Sequence, residues 1–386
     1  MGTIAITWEL GGGYGHLSRD YPIAVQLQEA GHKVFFIVRD VAIARTVLGN
    51  RFTFLPAPIA PNHGTNILPV DYHEILLQNG YSSTTLLAGL LRAWCNLLST
   101  LHVNFVIADY APTAMLAAYT LGIKSCAIGS GFEVPLDTQP FPLFRPWEKN
   151  ARWRSQKAEG IINNNINAAI DETALQKPPR LVSLYSPENS VLLTLPQLDH
   201  CGNRRGWIYR KPDYCFPSYF PMQWPDIEGP KALVYLQRYM PGFKEAIQAL
   251  ARLRWPTICC VPGLGAQELA DLEKPYIFIS TEPINIEVLL RDADILLSYG
   301  GLGVTTMAAR TEVHHLIFPH TVEQYIVACK AKQAGWVDIV FERDRSLETI
   351  VGALQRISTQ HRSPPDIPVV PQLQLTDIPG LPEIKQ

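Results

Sequence analysis

Short apolar runs alternate along the first third of the chain with stretches whose apolar residues recur at helical spacing. Unbroken apolar runs of this kind are typical of strands in a parallel sheet that is covered on both faces. The pattern therefore predicts an α/β fold with a doubly wound parallel sheet. Strands are predicted over 4–8, 33–38, 104–108 and 124–129, and helices over 112–121 and from Ser18, as an N-cap, to Ala30.

The same alternation restarts in the second half of the chain. Thr321 and Gln324 have the spacing of a capping box, which predicts a helix start there. We expect a second Rossmann-like sheet built like the first. Strands are predicted over 232–236, 257–261, 277–280, 295–299 and 314–318, and helices over 243–252, 285–291, 304–310 and 322–334, with a last helix from Ser346.

Five prolines between residues 212 and 230 separate the two halves, and this density of proline excludes a helix or a central strand. We divide the chain of 386 residues into a first Rossmann-like domain (1–205), a linker (206–230), a second Rossmann-like domain (231–360) and an extended proline-rich tail (361–386). Ligands of open parallel sheets bind beyond the carboxyl ends of the strands. A cleft between the two domains is the expected place for them.

Composition narrows the possible partners. The formal net charge of −2 argues against nucleic acid, and no uncharged apolar run approaches the ~20 residues of a membrane span. Seven cysteines without a Cys-x-x-Cys pair indicate reduced thiols. The first strand follows the N-terminus without a basic segment, which argues against a signal peptide. We expect a cytoplasmic protein that at most contacts a membrane peripherally.

A glycine loop with a histidine, residues 11–16, follows the first strand. It falls one glycine short of a dinucleotide fingerprint, because His16 occupies the third glycine position, and Asp40 stands roughly where an acid would bind ribose. A nicotinamide or flavin oxidoreductase is therefore one alternative. In the other interpretation His16 is a general base, and Gly13 and Gly15 admit a substrate close to the backbone.

Asp109 ends another strand of the same predicted sheet, so it could hold the second nitrogen of His16. An N-cap role for Asp109 on the following helix is an equal alternative. The loop over 130–150, rich in aromatic residues and proline, is a candidate acceptor pocket with Gly131 and Phe132 at its start. The leucines of 86–101 recur at helical spacing and predict a helix packed on the first sheet.

A second glycine turn, within 294–306, joins a predicted strand to a predicted helix. The first N–H groups of such a helix are unpaired and lie at the positive end of its dipole, which favours a phosphate group. Asp292-Ala293-Asp294 spells a metal-binding Asp-x-Asp, but its position before a buried strand favours a structural role. No His or Cys cluster has ligand spacing, so we expect no metal requirement.

Four groups of residues recur in the order of one known family over residues 4–334. In the first group, 15–20 with 30–34, a Gly-His pair opens the first helix and a Gly-His-x-Val signature opens the second strand. The other three groups are 107–113 with 117–118 and 121–123, 291–298 with Gly300 and Gly301, and Glu323 with Gln324. In these segments the chain resembles GT-B glycosyltransferases, particularly the group that uses UDP- or dTDP-sugars. It is also similar to the lipid-linked GlcNAc transferase of peptidoglycan synthesis.

The resemblance implies a metal-independent, inverting transfer of a sugar from a nucleoside-diphosphate sugar to an acceptor hydroxyl, with no cofactor. It assigns the general base to His16 and its partner to Asp109. It assigns the donor diphosphate to Gly300, Gly301, Gly303, Val304 and Thr305, the donor sugar to Glu323 and Gln324, and the nucleotide base to Pro283 and Ile284.

The chain departs from the family where Tyr299 replaces a histidine that donates to a phosphate oxygen. A tyrosine carries no positive charge, so Arg238 or His320 is expected to supply a cation at the donor. The expected partners are a nucleotide sugar and a small-molecule or lipid-like acceptor. Besides the oxidoreductase, the alternatives are a nucleotide-sugar epimerase of the same fold and a non-catalytic partner that only binds nucleotide sugars.

Overall fold

The computed structural model describes residues 2–61, 67–170, 177–360 and 367–382. Contacts divide the chain into two compact units, Met1–Pro217 with Val370–Gln386, and Ser218–Val369. The linker predicted over 206–230 contains the first point where the chain changes units. Parts of the predicted tail, 361–366 and 383–386, lie outside the described residues.

The first unit is built on a seven-stranded sheet in the order β3-β2-β1-β4-β5-β6-β7, and every pairing is parallel. The central strands are buried along nearly their whole length, as their apolar sequences predict. The strands are β1 (Thr3–Trp8), β2 (Lys33–Val38), β3 (Thr53–Pro56), β4 (Phe105–Asp109), β5 (Lys124–Gly129), β6 (Ser190–Leu192) and β7 (Ile208–Tyr209).

Helices connect these strands, so the unit is doubly wound as predicted. One face of the sheet buries Ile4 and Ile6 of β1 against Leu17 and Leu27 of the first helix. The leucine-rich stretch forms the fourth helix and buries its apolar side, as predicted. The helices are α1 (Gly15–Glu29), α2 (Val41–Leu48), α3 (Tyr72–Leu76), α4 (Thr84–Thr100), α5 (Pro112–Thr120) and α6 (Ala151–Ala169).

Glu9, the residue after β1, ties the sheet to the start of α5. Its carboxylate accepts hydrogen bonds from the backbone N–H of Thr113, at 2.8 Å, and from the Thr113 hydroxyl. Ala111, the N-cap of α5, has no side chain that could bond to these N–H groups. Glu9 therefore does the work of a capping residue from a neighbouring element. Tyr81 donates in turn to the Thr113 hydroxyl at 3.0 Å.

The second unit has a six-stranded parallel sheet in the order β10-β9-β8-β11-β12-β13. Its strands are β8 (Ala232–Tyr235), β9 (Thr257–Cys260), β10 (Ile277–Ser280), β11 (Ile295–Ser298), β12 (His314–Ile317) and β13 (Asp338–Ile339). Its helices are α7 (Phe243–Leu253), α8 (Ala266–Leu272), α9 (Ile286–Leu289), α10 (Leu302–Ala309), α11 (Val322–Gln333) and α12 (Leu347–Ser358).

Alternate strand residues of this sheet enter two different cores. Val234 and Leu297 pack with residues of α7 and α12, whereas Leu233 and Leu296 pack with residues of α9 and α10. Helices therefore cover both faces, which is the arrangement that the unbroken apolar strands predict. The capping box predicted at the start of α11 is present: Thr321 Oγ1 accepts from the Gln324 N–H, and Gln324 Oε1 accepts from the Thr321 N–H.

Three sequence predictions need correction. Ser18 does not cap α1, because the helix begins at Gly15 after Tyr14, and Ser18 lies inside it. The region predicted as linker begins with a strand, β7, which pairs with β6. The proline-rich tail is not only extended: Leu373 and Ile378 lie in the core of the first unit.

Helix α6 was not predicted. Its sequence is mostly polar, and only a narrow row of small and branched residues is buried. Apolar periodicity is therefore weak along it. No helix among the described residues is both long enough and apolar enough to cross a membrane.

Candidate functional site

His16 is the second residue of α1, directly after the glycine loop that follows β1. The side chain is 9% exposed, and its ring stacks on Trp8 at 5.2 Å between centroids. Strand pairing places Trp8 opposite Asp109, the last residue of β4. The carboxyl ends of two neighbouring parallel strands thus bring the aspartate beside the histidine, as the sequence predicts.

His16 and Asp109 form a buried hydrogen-bonded pair. The Nδ1 atom of His16 lies 2.9 Å from one carboxylate oxygen of Asp109 and 3.0 Å from the other. Because an ionised carboxylate only accepts, we assign the proton on this bond to Nδ1, which leaves Nε2 as the proton acceptor. The alternative, in which Asp109 only caps α5, does not describe this geometry. Glu9, not Asp109, accepts the hydrogen bond from the Thr113 N–H at the start of that helix.

The surroundings of the pair shift the pKa values of both His16 and Asp109. Burial lowers the pKa of His16, but the charge and hydrogen bond of Asp109, with the charge of Glu133, raise it above its ordinary value. Burial raises the pKa of Asp109, whereas Arg19 and His16 lower it, and the net shift is downward. The aspartate is therefore ionised and favours a protonated imidazole beside it, as a partner of a general base should.

Sequence reasoning missed three titratable residues at this site. Arg19, one helical turn after His16, contacts Asp109 with Nη2 at 2.5 Å and Glu133 at 3.4 Å. Asp20 is fully buried, and burial followed by the charge of Asp109 raises its pKa well above the usual range. The i, i+3 spacing of His16 and Arg19 was the available signal for the arginine. Glu133 gave none, because its loop has no periodic pattern.

Atoms of His16, Asp109 and Glu133 lie within 4.8 Å of one another, the one such group of potential metal ligands among the described residues. A cation is already present there, however, because the Arg19 guanidinium bonds to both carboxylates. The donor set therefore does not favour a metal ion. Asp294, of the Asp-x-Asp segment, accepts a hydrogen bond from the Lys231 N–H at 2.7 Å, which fits a structural role. Metal independence remains a prediction.

The residues predicted on the acceptor side differ in their surroundings. Gly13 and Gly15 have open space where a side chain would begin. Gly131 instead lies against Asp199 and Arg204, so that a Cβ there would collide with both side chains. Phe132 is 6% exposed. Its ring stacks on Phe144, lies edge-on to Tyr110 and contacts His200.

A second buried His–Asp pair lies in the same unit. His73 Nδ1 is 3.0 Å from Asp71 Oδ2, and Ser155 donates to the same oxygen at 2.6 Å. Asp71 is also the N-cap of α3 and accepts from the Glu74 N–H. This pair has no glycine loop beside it, and the His73 ring packs on Phe141. Sequence reasoning did not single it out, since Asp-x-His spacing alone is not a specific signal.

Asp40, which a dinucleotide-binding enzyme would use to bind ribose, makes hydrogen bonds to the backbone instead. Its Oδ1 accepts hydrogen bonds from the N–H groups of Ala42 and Ile43, at 2.9 and 3.0 Å, and so caps α2. This bonding does not support the oxidoreductase alternative.

The glycine turn of the second unit joins β11 to α10. Gly300 has φ of +81°, and a Cβ there would stand 2.6 Å from Ile317. At Gly301 a Cβ would stand 2.8 Å from the ring of Tyr299. The turn is held by Ser298, whose Oγ accepts from the Gly300 N–H at 3.0 Å and is 2.8 Å from His315 Nε2. Neither Ser298 nor His315 was predicted to take part.

The residues that follow the turn form the first part of α10. Val304 packs its side chain into an apolar core, so only its backbone can face a ligand. The hydroxyl groups of Thr305 and Thr306 are buried and have no hydrogen-bond partner within the described residues. Buried hydroxyls of this kind are rare without a bonding partner. Together with Gly303 they stand in the first turns of a helix, where an anion is stabilised.

The other residues predicted to bind the donor have varied surroundings. Arg238 makes an ion pair with Glu268 at 2.7 Å, and both side chains are about half exposed. Burial raises the pKa of Tyr299 to about 12, so its hydroxyl is a neutral donor. His320 is exposed, and its N–H donates to Gln324 Oε1 at 3.0 Å. Glu323 stands in the first turn of α11.

Pro283 and Ile284, predicted to face the nucleotide base, lie in the turn after β10. The carbonyl of Pro283 accepts from the Phe220 N–H at 2.8 Å, and the side chain of Ile284 is buried in an apolar core. Their role at the base therefore remains a prediction, as do the roles of the other donor residues.

The chain superposes on solved structures of several glycosyltransferases. The glycotransferase of kitacinnamycin superposes with a TM-score of 0.66 at 17% identity, covering 93% of this chain and 91% of the other. VinC in complex with dTDP gives 0.63 at 14% identity over the same shares. Two parallel-sheet units of this connectivity, matched over nearly the whole length, decide the fold. The chain has the GT-B fold.

Other comparisons agree with the GT-B fold. The spinosyn rhamnosyltransferase SpnG, complexed with spinosyn aglycone, superposes with a TM-score of 0.62 at 15% identity, over 92% of this chain and 91% of that one. The zeaxanthin glucosyltransferase of Pseudescherichia vulneris is 23% identical over an alignment of 375 positions, which covers 90% of this chain and 89% of that protein. No family model matches the chain.

Proposed function

We propose that this chain is an inverting glycosyltransferase that transfers a sugar from a UDP- or dTDP-sugar to an acceptor hydroxyl without a metal ion. One observation carries the proposal: a buried histidine at the mouth of a glycine loop is hydrogen-bonded through Nδ1 to an ionised aspartate. This arrangement leaves Nε2 of His16 as a base and stabilises the imidazolium that forms when it accepts a proton.

In the proposed reaction His16 Nε2 removes the proton from the acceptor hydroxyl as its oxygen attacks the anomeric carbon of the sugar. The bond between that carbon and the diphosphate oxygen breaks, and its electron pair leaves with the nucleoside diphosphate. Attack from the side opposite the leaving group inverts the anomeric configuration. Asp109 remains ionised throughout and stabilises the positive charge on His16.

The second unit is proposed to bind the donor. Support comes from the start of α10, where the first N–H groups of the helix favour a phosphate and where the buried hydroxyls of Thr305 and Thr306 have no hydrogen-bond partner within the described residues. Tyr299 would add a neutral donor in place of the histidine of the resembling family. We keep Glu323, Gln324 and His320 as proposed contacts of the sugar, Arg238 of the diphosphate, and Pro283 with Ile284 of the base.

We propose a hydrophobic small molecule that bears a hydroxyl group as the acceptor. Two proteins of similar sequence or structure are named for such molecules, zeaxanthin and the spinosyn aglycone. In this chain the rings of Tyr110 and Phe132 lie next to each other at 6.2 Å, and Tyr110 is the ring that follows Asp109 and stacks near His16 at 6.4 Å. Aromatic side chains beside the base suit an apolar acceptor.

The test combines dTDP-glucose or UDP-glucose with zeaxanthin and other hydroxylated apolar acceptors, and detects the glycoside by mass spectrometry. Donor incubated alone reveals an epimerase by the appearance of a second sugar. His16→Ala should reduce transfer by about a thousandfold or more while the Kd for the nucleoside diphosphate changes less than a few-fold. His73→Ala is the matched control, because it removes the histidine of the second buried His–Asp pair.

Normal transfer by His16→Ala, or loss of transfer in His73→Ala alone, would show that the base has been assigned to the wrong pair. An inverted product from an active wild-type enzyme, determined by NMR of the anomeric proton, supports the stereochemical part. A retained configuration refutes it.

A further inference from the structure

Arg19 connects the acidic residues around His16. The arginine follows the histidine by three positions on α1, so both side chains leave the same side of the helix. Its side chain is 5% exposed. The Nη2 atom lies 2.5 Å from Asp109 Oδ1 and 3.4 Å from Glu133 Oε1, and Nη1 lies 3.4 Å from Glu133 Oε2. One guanidinium thus bridges two carboxylates, one at the end of β4 and the other in the loop after β5.

Glu133 reaches the histidine from the loop after β5. Its Oε1 is 3.7 Å from His16 Nδ1, on the same nitrogen that Asp109 contacts. The backbone N–H of Ser130 donates to the Glu133 carboxylate. Gly129 makes room for this turn: its φ is +151°, and a Cβ at that position would stand 2.9 Å from the Cβ of Glu133. The backbone therefore fixes the glutamate where it can act on the ring of His16.

We propose that Arg19 and Glu133 are positioning residues of the His16–Asp109 pair: the guanidinium holds the two carboxylates together on the Nδ1 side of the ring and leaves Nε2 free to accept a proton. The inference rests on the proposed function, in which Nε2 takes the proton of the acceptor. Arg19 and Glu133 act through His16 and need not touch a substrate.

The charges around the ring explain why both residues are needed. Asp109 and Glu133 favour the imidazolium, and without a compensating cation they would raise the pKa of His16 further and reduce the neutral fraction that can act as a base. Arg19 opposes them, since its charge lowers the pKa of His16. The other polar neighbours are Asp20, which is on α1, and Tyr110, which follows β4; Trp8 on β1 is uncharged.

Tyr214 interacts electrostatically with Arg19 and so affects His16 only indirectly. Burial and the Arg19 charge lower the pKa of His16, whereas the two carboxylates raise it. Arg19 and Glu133 should affect it in opposite directions.

The experiment is a titration of His16 in the full chain without substrate, by NMR of histidines labelled with 13C at Cε1. The His16 signal is identified by its loss in His16→Gln. Arg19→Met should move the titration midpoint of His16 upward by about one pH unit, because a nearby cation is lost. Glu133→Gln should move it downward by about half a unit or more, because a nearby anion is lost.

Arg19→Lys keeps the charge and should therefore leave the His16 midpoint close to the wild-type value. If Arg19→Met does not fold, the downward shift expected in Glu133→Gln and the nearly unchanged midpoint expected in Arg19→Lys test the proposal. Arg154→Met is the matched control: it removes an arginine that pairs with Glu74 in the same unit, and it should leave the His16 midpoint unchanged. Shifts of the same sign in Arg19→Met and Glu133→Gln, or no shift in either, would overturn the proposal.

A second measurement separates this inference from the proposed function. If His16 is the base, kcat/KM falls at acidic pH as His16 becomes protonated. The midpoint of this fall, the acid limb, should move with the NMR midpoint in each variant. Midpoints that move in opposite directions while the acid limb stays fixed would support the positioning roles and count against His16 as the base. An unmoved midpoint would refute the positioning roles, whatever the activity of His16→Ala.

Discussion

Gly11 lies directly against the base nitrogen of His16: a Cβ at position 11 would stand 2.6 Å from Nε2 and 3.2 Å from Cε1. The dinucleotide pattern would assign Gly11 only to a turn. In this structure Gly11 also leaves space beside Nε2 of His16. This contact was not apparent from the sequence, which directed attention to Gly13 and Gly15 instead.

Gly11→Ala should lower kcat by about a hundredfold, because the added methyl group displaces the imidazole from its productive position. Gly13→Ala is the matched control. Gly13 has nearly the same φ, +82°, but nothing lies within 4 Å of its Cβ, so it carries the backbone strain without the contact. Steady-state kinetics of both variants make the comparison. Equal losses in the two would mean that backbone strain, or loss of the acceptor space predicted at Gly13, limits activity rather than the contact between Gly11 and His16.

The pH dependence of transfer should reflect the raised pKa of His16. A general base works only when neutral, so kcat/KM should fall on the acid side of a midpoint that lies above the ordinary histidine value. The measurement is kcat/KM from about pH 5 to about pH 9 in wild type and in Asp109→Asn. Asp109→Asn should move the acid limb to lower pH and reduce kcat, since the main cause that raises the pKa is removed. An acid limb that is the same in both proteins would contradict this prediction.

Glu9 should make the folded state less stable as the pH rises. Burial raises the pKa of Glu9 to about 7 although Thr113 donates two hydrogen bonds to it. The folded state binds this proton more tightly than the unfolded state, so the stabilisation is complete at acidic pH and is lost as the pH rises through the folded pKa. At full ionisation the loss amounts to about 3 kcal/mol.

Glu9→Gln keeps an oxygen for Thr113 and removes the titration. Its midpoint of thermal unfolding should match that of the wild type near pH 5 and exceed it near pH 8 by several degrees. Glu29→Gln, an exposed change at the end of α1, is the control and should follow the wild type at both pH values. A constant difference between Glu9→Gln and wild type across this range would show that Glu9 does not titrate there.

Ser298 should contribute to donor binding through the glycine turn. Ser298→Ala removes the hydrogen bond to the Gly300 N–H, so the turn that presents α10 to a phosphate becomes less ordered. We expect the Kd for dTDP or UDP to rise about five- to tenfold, the effect of losing one hydrogen bond of about 1 kcal/mol.

The control for that measurement is Ser346→Ala, which removes a serine bond to a backbone N–H at the start of α12 in the same unit. Calorimetric titration of each variant with the nucleotide gives the Kd. Equal affinities in Ser298→Ala and wild type would remove the turn from the donor site.

The fold could be read from the sequence because its central strands are buried on both faces and therefore stand out as unbroken apolar runs. Elements that are short or only partly buried were not predicted, because their apolar pattern is weak. Strands β7 and β13 have two residues each, and α6 buries only one narrow side. The site was predictable where a residue ends a strand, as Asp109 does, since parallel strand ends share one edge of the sheet.

Residues that depend on tertiary contacts could not be read in the same way. Glu133 reaches His16 only because Gly129 turns the loop, and His315 acts on the glycine turn across two paired strands. The ion pair of Arg238 with Glu268 was likewise not apparent from the sequence. The diphosphate contact proposed for Arg238 remains a prediction.

The return of residues 370–382 to the first unit means that the second unit is inserted between two pieces of the first. Ser218–Val369 is one uninterrupted stretch and can be produced as a single fragment. A chain cut at 369 would instead deprive the first unit of Leu373 and Ile378. Chimeras that exchange the second unit with that of another protein of this fold therefore need two junctions, near 217 and near 369. A single crossover near 217 would build the core of the first unit from pieces of two parents.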